Sequence, residues 1–128
     1  MDTLLGKPAD AKQLSPLTLA FLGDAVYSLL VRERLACEAN RPAGALHTES
    51  VRYVNAAAQS EAAQKLMPML SEEETAAFRR GRNAQPAHTA KNTGISDYHQ
   101  ATGLEALFGY LYLQGRIDRI RELFDYTA

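Results

Sequence analysis

The chain has a single cysteine, Cys37, so no disulfide can close within it, and a lone thiol of this kind fits a reducing compartment and a buried or idle role. It has no apolar run approaching the roughly 20 residues that a bilayer-spanning helix needs, which excludes a membrane-spanning class. It has no excess of either charge: 14 Lys and Arg stand against 15 Asp and Glu, a net of −1. That balance excludes a uniformly basic surface that coats nucleic acid by charge alone, so any such contact must use a local patch. The opening MDTLLGKPADAKQLSP lacks the basic start and apolar run of a secretory signal, and the expectation is a cytoplasmic protein. There is also no glycine-rich phosphate loop and no Ser-His-Asp grouping. His47 and His99 stand alone, outside any zinc-like spacing.

What is present is ordinary globular sequence, 46% hydrophobic and 23% charged over 128 residues, enough for one domain with a real core. Residues 1–14 carry Gly6 and Pro8 and show no period, which predicts an arm leading into a domain over 15–128. Ser15 before Pro16 is a helix start, and Leu19, Leu22, Val26, Leu29 and Leu30 recur at helical steps and predict its buried stripe. Ala20, Asp24, Ser28 and Arg32 form a different stripe. After the break NRPAG at 40–44, one helix is expected from about Leu46 to Met67, with Val51, Val54, Ala58 and Ala62 inward. Ser71 and Glu74 match a capping box for a third helix ending near Arg80. A polar loop is expected over 81–96. Asp97 and Gln100 open the next helix, whose Leu104, Leu107, Phe108, Leu111 and Tyr112 form an apolar face up to Gly115. A short helix over about 118–124 ends the domain. No segment alternates as a strand would, so the fold class is all-α.

Two carboxylates stand in otherwise apolar helical stretches, Asp24 in FLGDAV and Glu105 in GLEALFGYLYL, where an unpaired charge costs several kcal/mol unless compensated. A solvated or ion-paired helix residue is the ordinary reading of either one, and spacing alone does not overturn it.

The runs LTLAFLGDAVYSLLVRERL and GLEALFGYLYLQG together resemble the two metal-binding helices of the ribonuclease III family. The stretch HTESVRYVNAAAQS, the run RRGRNA and the segment HTAKNTGISDYHQATGLEAL resemble its Mini-ribonuclease III subgroup, and the likeness covers about residues 14–125. The resemblance implies the all-helical ribonuclease III endonuclease fold, a two-fold homodimer, and Mg²⁺-dependent cleavage of double-stranded RNA that leaves 5′-phosphate ends. Mn²⁺ is a possible substitute ion. It implies that Asp24 and Glu105 are the metal-binding and catalytic carboxylates, since hard oxygen ligands suit Mg²⁺. It also implies a 23S ribosomal RNA precursor as substrate, with possible assistance from a ribosomal protein. The expectation is a catalytic domain without the double-stranded RNA-binding domain that larger members append. Those members carry further carboxylates where this chain has Ala20 and Thr102, which leaves the number of metal ions open. A catalytically inert RNA-binding or ribosome-associated protein of the same fold is therefore the alternative, and a plain helical dimerisation module is a third.

The second feature is basic. Arg79, Arg80, Arg82 and Lys91 lie between Thr75 and Ser96 with no acidic residue among them, joined by the hydrogen-bonding groups of Asn83, His88 and Asn92. Cations at a helix end complement its dipole, and that accounts for Arg79 and Arg80. Arg82, Lys91 and the polar loop fit contact with the backbone of A-form RNA, which is recognised by shape, phosphate and 2′-hydroxyl. Tyr53, Tyr98, Tyr110 and Tyr112 are expected in packing or an interface. Gly23, Ala25, Gly103 and Gly109 permit close helix contact, within one subunit or between two.

Overall fold

The computed structural model describes residues 3–7, 9–84 and 94–127. Among them every regular element is helical: α1 (Pro16–Glu38), α2 (Ala43–Val51), α3 (Ala56–Leu66), α4 (Glu72–Asn83), α5 (Ile95–Leu113) and α6 (Ile117–Thr127), with short 3₁₀ turns at Ala11–Gln13 and Met67–Met69. The fold is all-α, as the sequence predicts. Helix α5 is its axis, because α1, α3 and α4 all pack on it and α6 closes across its end. From 101 to 111 every residue of α5 except Glu105 is buried, so this helix is apolar nearly all round, as an enclosed helix must be. Tyr27 stands edge-on to Phe108 at 5.3 Å and to Phe124 at 5.6 Å, joining α1, α5 and α6.

Local chemistry sets most helix ends. The Ser15 hydroxyl accepts from the Thr18 amide and Pro16 opens α1. At α4 both halves of the Ser71–Glu74 capping box form. Gly115 takes φ 70 after α5, the left-handed conformation in which glycine carries no Cβ penalty.

Several expectations fail on packing. The helix expected from Leu46 to Met67 is two helices. Asn55 leaves helical geometry and accepts from the Ala58 amide, so the side chain that caps α3 also ends the run from α2. Val51 is consequently exposed, not inward. On α1 the buried residues are Leu19, Ala20, Gly23, Tyr27, Val31 and Leu35, a stripe turned from the predicted one by the tyrosine and the glycine; Leu29 is exposed. Cys37 is exposed as well. Helix α4 runs three residues past Arg80, and α5 begins at Ile95 behind Gly94, so Asp97 lies inside the first turn instead of capping it. Tyr53 and Tyr98 are exposed, whereas Tyr110 is buried.

Glu74 has no exposed surface at all, and its charge is answered in full. Arg119 of α6 forks onto it, Nε to Oε2 and Nη2 to Oε1, both at 2.8 Å, and Arg116 stands 3.6 Å away. The Ser71 amide donates to the same carboxylate at 2.9 Å. Hydrogen bonding from Arg119 holds the Glu74 carboxyl below its ordinary range against the opposing effect of burial. This pair ties α4 to α6 and belongs to the scaffold.

Candidate active site

The site is built by glycines. A methyl group placed on Gly23 would lie 1.6 Å from the carbonyl oxygen of Glu105, and one on Gly109 would lie 2.1 Å from that of Leu19. Helices α1 and α5 therefore cross backbone to backbone, at a separation only glycine permits. Gly103 packs on Phe78 in the same way. The small residues at 23, 103 and 109 thus serve contacts inside one subunit, which resolves the choice the sequence leaves open for them; Ala25 is exposed.

The residue after Gly23 is Asp24, and the crossing brings its side chain to that of Glu105. Asp24 is exposed and Glu105 half-buried. Burial is the main cause that pushes the Glu105 carboxyl up to about 7, and the charge and hydrogen-bonding proximity of Asp24 push it further the same way. One group opposes the rise: Gln59 of α3, almost wholly buried, whose Nε2 donates to Glu105 Oε2 at 3.1 Å. Among the described residues no cation forms a salt bridge to either carboxylate. Two neighbouring carboxylates, with the Glu105 carboxyl pushed up, form an oxygen-rich site that favours a positively charged occupant. The chemistry of these donors fits a hard divalent cation.

The two positions at which the family resemblance made carboxylates conspicuous by absence are not replaced by other ligands. Ala20 is buried, and the buried Thr102 hydroxyl donates to the Tyr98 carbonyl at 3.0 Å. Asp97 sits eight residues before Glu105 on the same helix, about 12 Å along its axis at 1.5 Å per residue, too far to share an ion with it. Among the described residues no group of three or more His, Cys, Asp and Glu side chains converges as a metal site. The carboxylates that the crossing brings together are Asp24 and Glu105. Gln59 was not singled out by sequence, because an amide in an alanine-rich helix carries no periodic signal; only the packing of α3 on α5 reveals it.

The basic segment begins where α4 crosses α5. A methyl on Gly81 would lie 2.4 Å from the Ala106 Cβ and 3.1 Å from the Thr102 carbonyl oxygen, so the end of α4 meets α5 at the level of Glu105. Arg79, Arg80 and Asn83 are exposed and Arg82 half-exposed. Arg80 Nη2 donates to the Leu14 carbonyl at 3.2 Å and Arg82 Nε to Asn83 Oδ1 at 3.1 Å. His88, Lys91 and Asn92 lie outside the described residues. No described helix is long and apolar enough to cross a membrane.

Residues 17–116 match the ribonuclease III domain family. The chain is 47% identical to a Mini-ribonuclease 3 of Thermoanaerobacter over 90% of its length and 81% of the relative's. It is 48% identical to a Mini-ribonuclease 3 of Brevibacillus brevis over 89% and 85%. A crystal structure of a Fusobacterium nucleatum protein superposes with a TM-score of 0.78 at 29% identity, covering 91% of this chain and 93% of that one. Helices crossing on glycine, a carboxylate pair at the crossing and relatedness along nearly the whole chain agree, and the protein belongs to the ribonuclease III family, in its Mini-ribonuclease 3 group.

Proposed function

We propose that this protein is an endoribonuclease that hydrolyses double-stranded RNA with a divalent cation, Mg²⁺ or in its place Mn²⁺, held by Asp24 and Glu105. The observation that carries the reading is the meeting of those two side chains, with no salt bridge to either among the described residues and with Glu105 pushed up to about 7. When bound, such an ion supplies an activated water and steadies charge on the phosphate oxygens. Glu105 is held by Gln59 through Oε2, which fixes one oxygen and leaves the other for the ion. Asp24, on the exposed side, faces the direction from which RNA arrives. To Arg79, Arg80, Arg82 and Asn83, and to His88, Lys91 and Asn92 later in the sequence, we assign contact with the RNA backbone. Water adds to phosphorus and the 3′ oxygen leaves, giving 5′-phosphate and 3′-hydroxyl ends.

Cutting both strands calls for two sites related by a two-fold axis. Phe21 is 83% exposed and Leu17, one turn before it on α1, is 43% exposed; an apolar patch of this kind on a small soluble domain supports a self-complementary homodimer contact. The substrate we assign is the 23S ribosomal RNA precursor, presented with or without a ribosomal protein, in the cytoplasm, by a domain over 15–128 preceded by an arm over 1–14.

The test is incubation with a structured duplex RNA, with and without Mg²⁺, for wild type, Asp24→Asn and Glu105→Gln. Cleavage by wild type alone, and only with the ion, is expected. Binding of the duplex without cleavage by wild type in Mg²⁺ or Mn²⁺ would assign the protein to the inert RNA-binding alternative, which the loss of carboxylates at Ala20 and Thr102 keeps in play.

A further inference from the structure

Helices α1 and α3 both lean on α5, and beyond the carboxylate pair a gap between them opens into a pocket of about 360 Å³. Asp24, Gln59 and Glu105 do not line it, but two of its walls continue the helices that carry Asp24 and Gln59. Tyr27, Val31 and Arg34 follow Asp24 on α1 at steps of three, four and three residues, which keeps them on one helix face. Ala58, Ala62 and Lys65 line the α3 side, in register with Gln59, while Phe124 and Thr127 of α6 supply the floor.

The lining is not that of a scaffold gap. Arg34, Arg52 and Lys65 face it against one carboxylate, Glu61. Neither Lys65 nor Arg34 has a salt bridge among the described residues; Arg34 lies over the Phe124 ring at 4.0 Å and donates to the Phe124 carbonyl at 3.5 Å. Arg52 is held from one side by Glu49 at 3.4 Å and remains largely exposed. Beside these cations stands Tyr53, 41% exposed, a ring at the rim with no aromatic partner among the described residues. Cations that suit phosphate next to an open aromatic face that suits a base are the two halves of nucleotide recognition.

We propose that this pocket is a nucleotide subsite, in which Arg52 and Lys65 take a phosphate and Tyr53 stacks a base. The ligand is a nucleotide unit, either in an RNA strand flanking the cleavage point, which rests on the proposed nuclease reading, or as a free mononucleotide, which does not.

The experiment is calorimetric titration of the full chain, in EDTA at low salt, with adenosine 5′-monophosphate, inorganic phosphate and a short single-stranded RNA. Wild type, the double variant Arg52→Glu/Lys65→Glu, and Tyr53→Ala are compared, with melting temperatures as the folding control; all three side chains are exposed. Binding of the mononucleotide by wild type is expected, weakened about tenfold or more in the double variant. Tyr53→Ala should weaken the mononucleotide by about tenfold and inorganic phosphate hardly at all. A single-stranded RNA bound more tightly than the mononucleotide and lost in the same variants assigns the pocket to the substrate strand; a mononucleotide bound at least as tightly assigns it to a free ligand. Absence of mononucleotide and RNA binding by wild type, or equal binding by the folded variants, overturns the proposal. Omission of divalent ion keeps this outcome separate from any failure of Asp24 and Glu105 to support cleavage.

Discussion

Two glutamates on neighbouring helices have opposite surroundings. Glu74 is sealed from solvent and met by two arginines and a backbone amide, and its carboxyl is held low. Glu105 is only half-buried, yet it meets another carboxylate and a neutral amide, and its carboxyl is pushed up to about 7. The fold thus neutralises the carboxylate it uses as structure with its own cations, whereas among the described residues no cation forms a salt bridge with Glu105. A buried charge costs several kcal/mol when its partner is absent; the cation proposed for the Glu105 site would offset that cost.

The comparison can be broken most severely at the site. Asp24→Asn or Glu105→Gln removes half of the ion's charged ligands, and duplex cleavage in Mg²⁺ should fall about a thousandfold or more, on the scale of losing one electrostatic stabiliser of a transition state, with the fold intact by circular dichroism. Arg119→Ala should do the reverse. It strands the Glu74 charge and should cost about 3–5 kcal/mol in urea unfolding without altering the chemistry of the molecules still folded. Gly23→Ala forces α1 from α5 and should cost at least about 1–3 kcal/mol; because the crossing also aligns the carboxylates, cleavage should fall in the folded fraction too.

Smaller effects sharpen the contrast through pH. Glu105 has a folded value near 7 against an ordinary 4.5, so between these values the folded state holds more protons than the unfolded one, and stability falls as pH rises across that window. Glu74 has the opposite sign: its contribution is present above the ordinary 4.5 and is lost as pH falls through its lowered folded value. In metal-free protein, Glu105→Gln should therefore raise the melting temperature by a few degrees at pH 8 and hardly at all at pH 4. Gln59→Ala removes the bond that holds Glu105 down, so the Glu105 titration should move further upward and the rise of cleavage with pH should shift to more alkaline values.

Much of this was legible in the sequence for local reasons. Ser15, Pro16, Ser71 and Glu74 act within four residues of themselves, and the helix starts they predict form, although Asp97 does not cap α5. Asp24 and Glu105 were picked out by their apolar surroundings and by resemblance, and the structure brings them together. What was not legible depends on contacts distant in the chain. The buried face of α1 is set by Gly23 meeting α5, not by the leucine period, and the split of the long second helix turns on one asparagine, Asn55, whose side chain serves the backbone ahead of it. Gln59 and Arg119 act across 46 and 45 residues, beyond any pattern of spacing.

The most direct measurement is the titration of the Glu105 carboxyl carbon by nuclear magnetic resonance, with and without Mg²⁺. Without the ion its midpoint should lie near 7, and millimolar Mg²⁺ should drive it down, an effect that Asp24→Asn weakens. An ordinary midpoint near 4.5 that Mg²⁺ leaves unmoved would contradict a cation site at the crossing of α1 and α5.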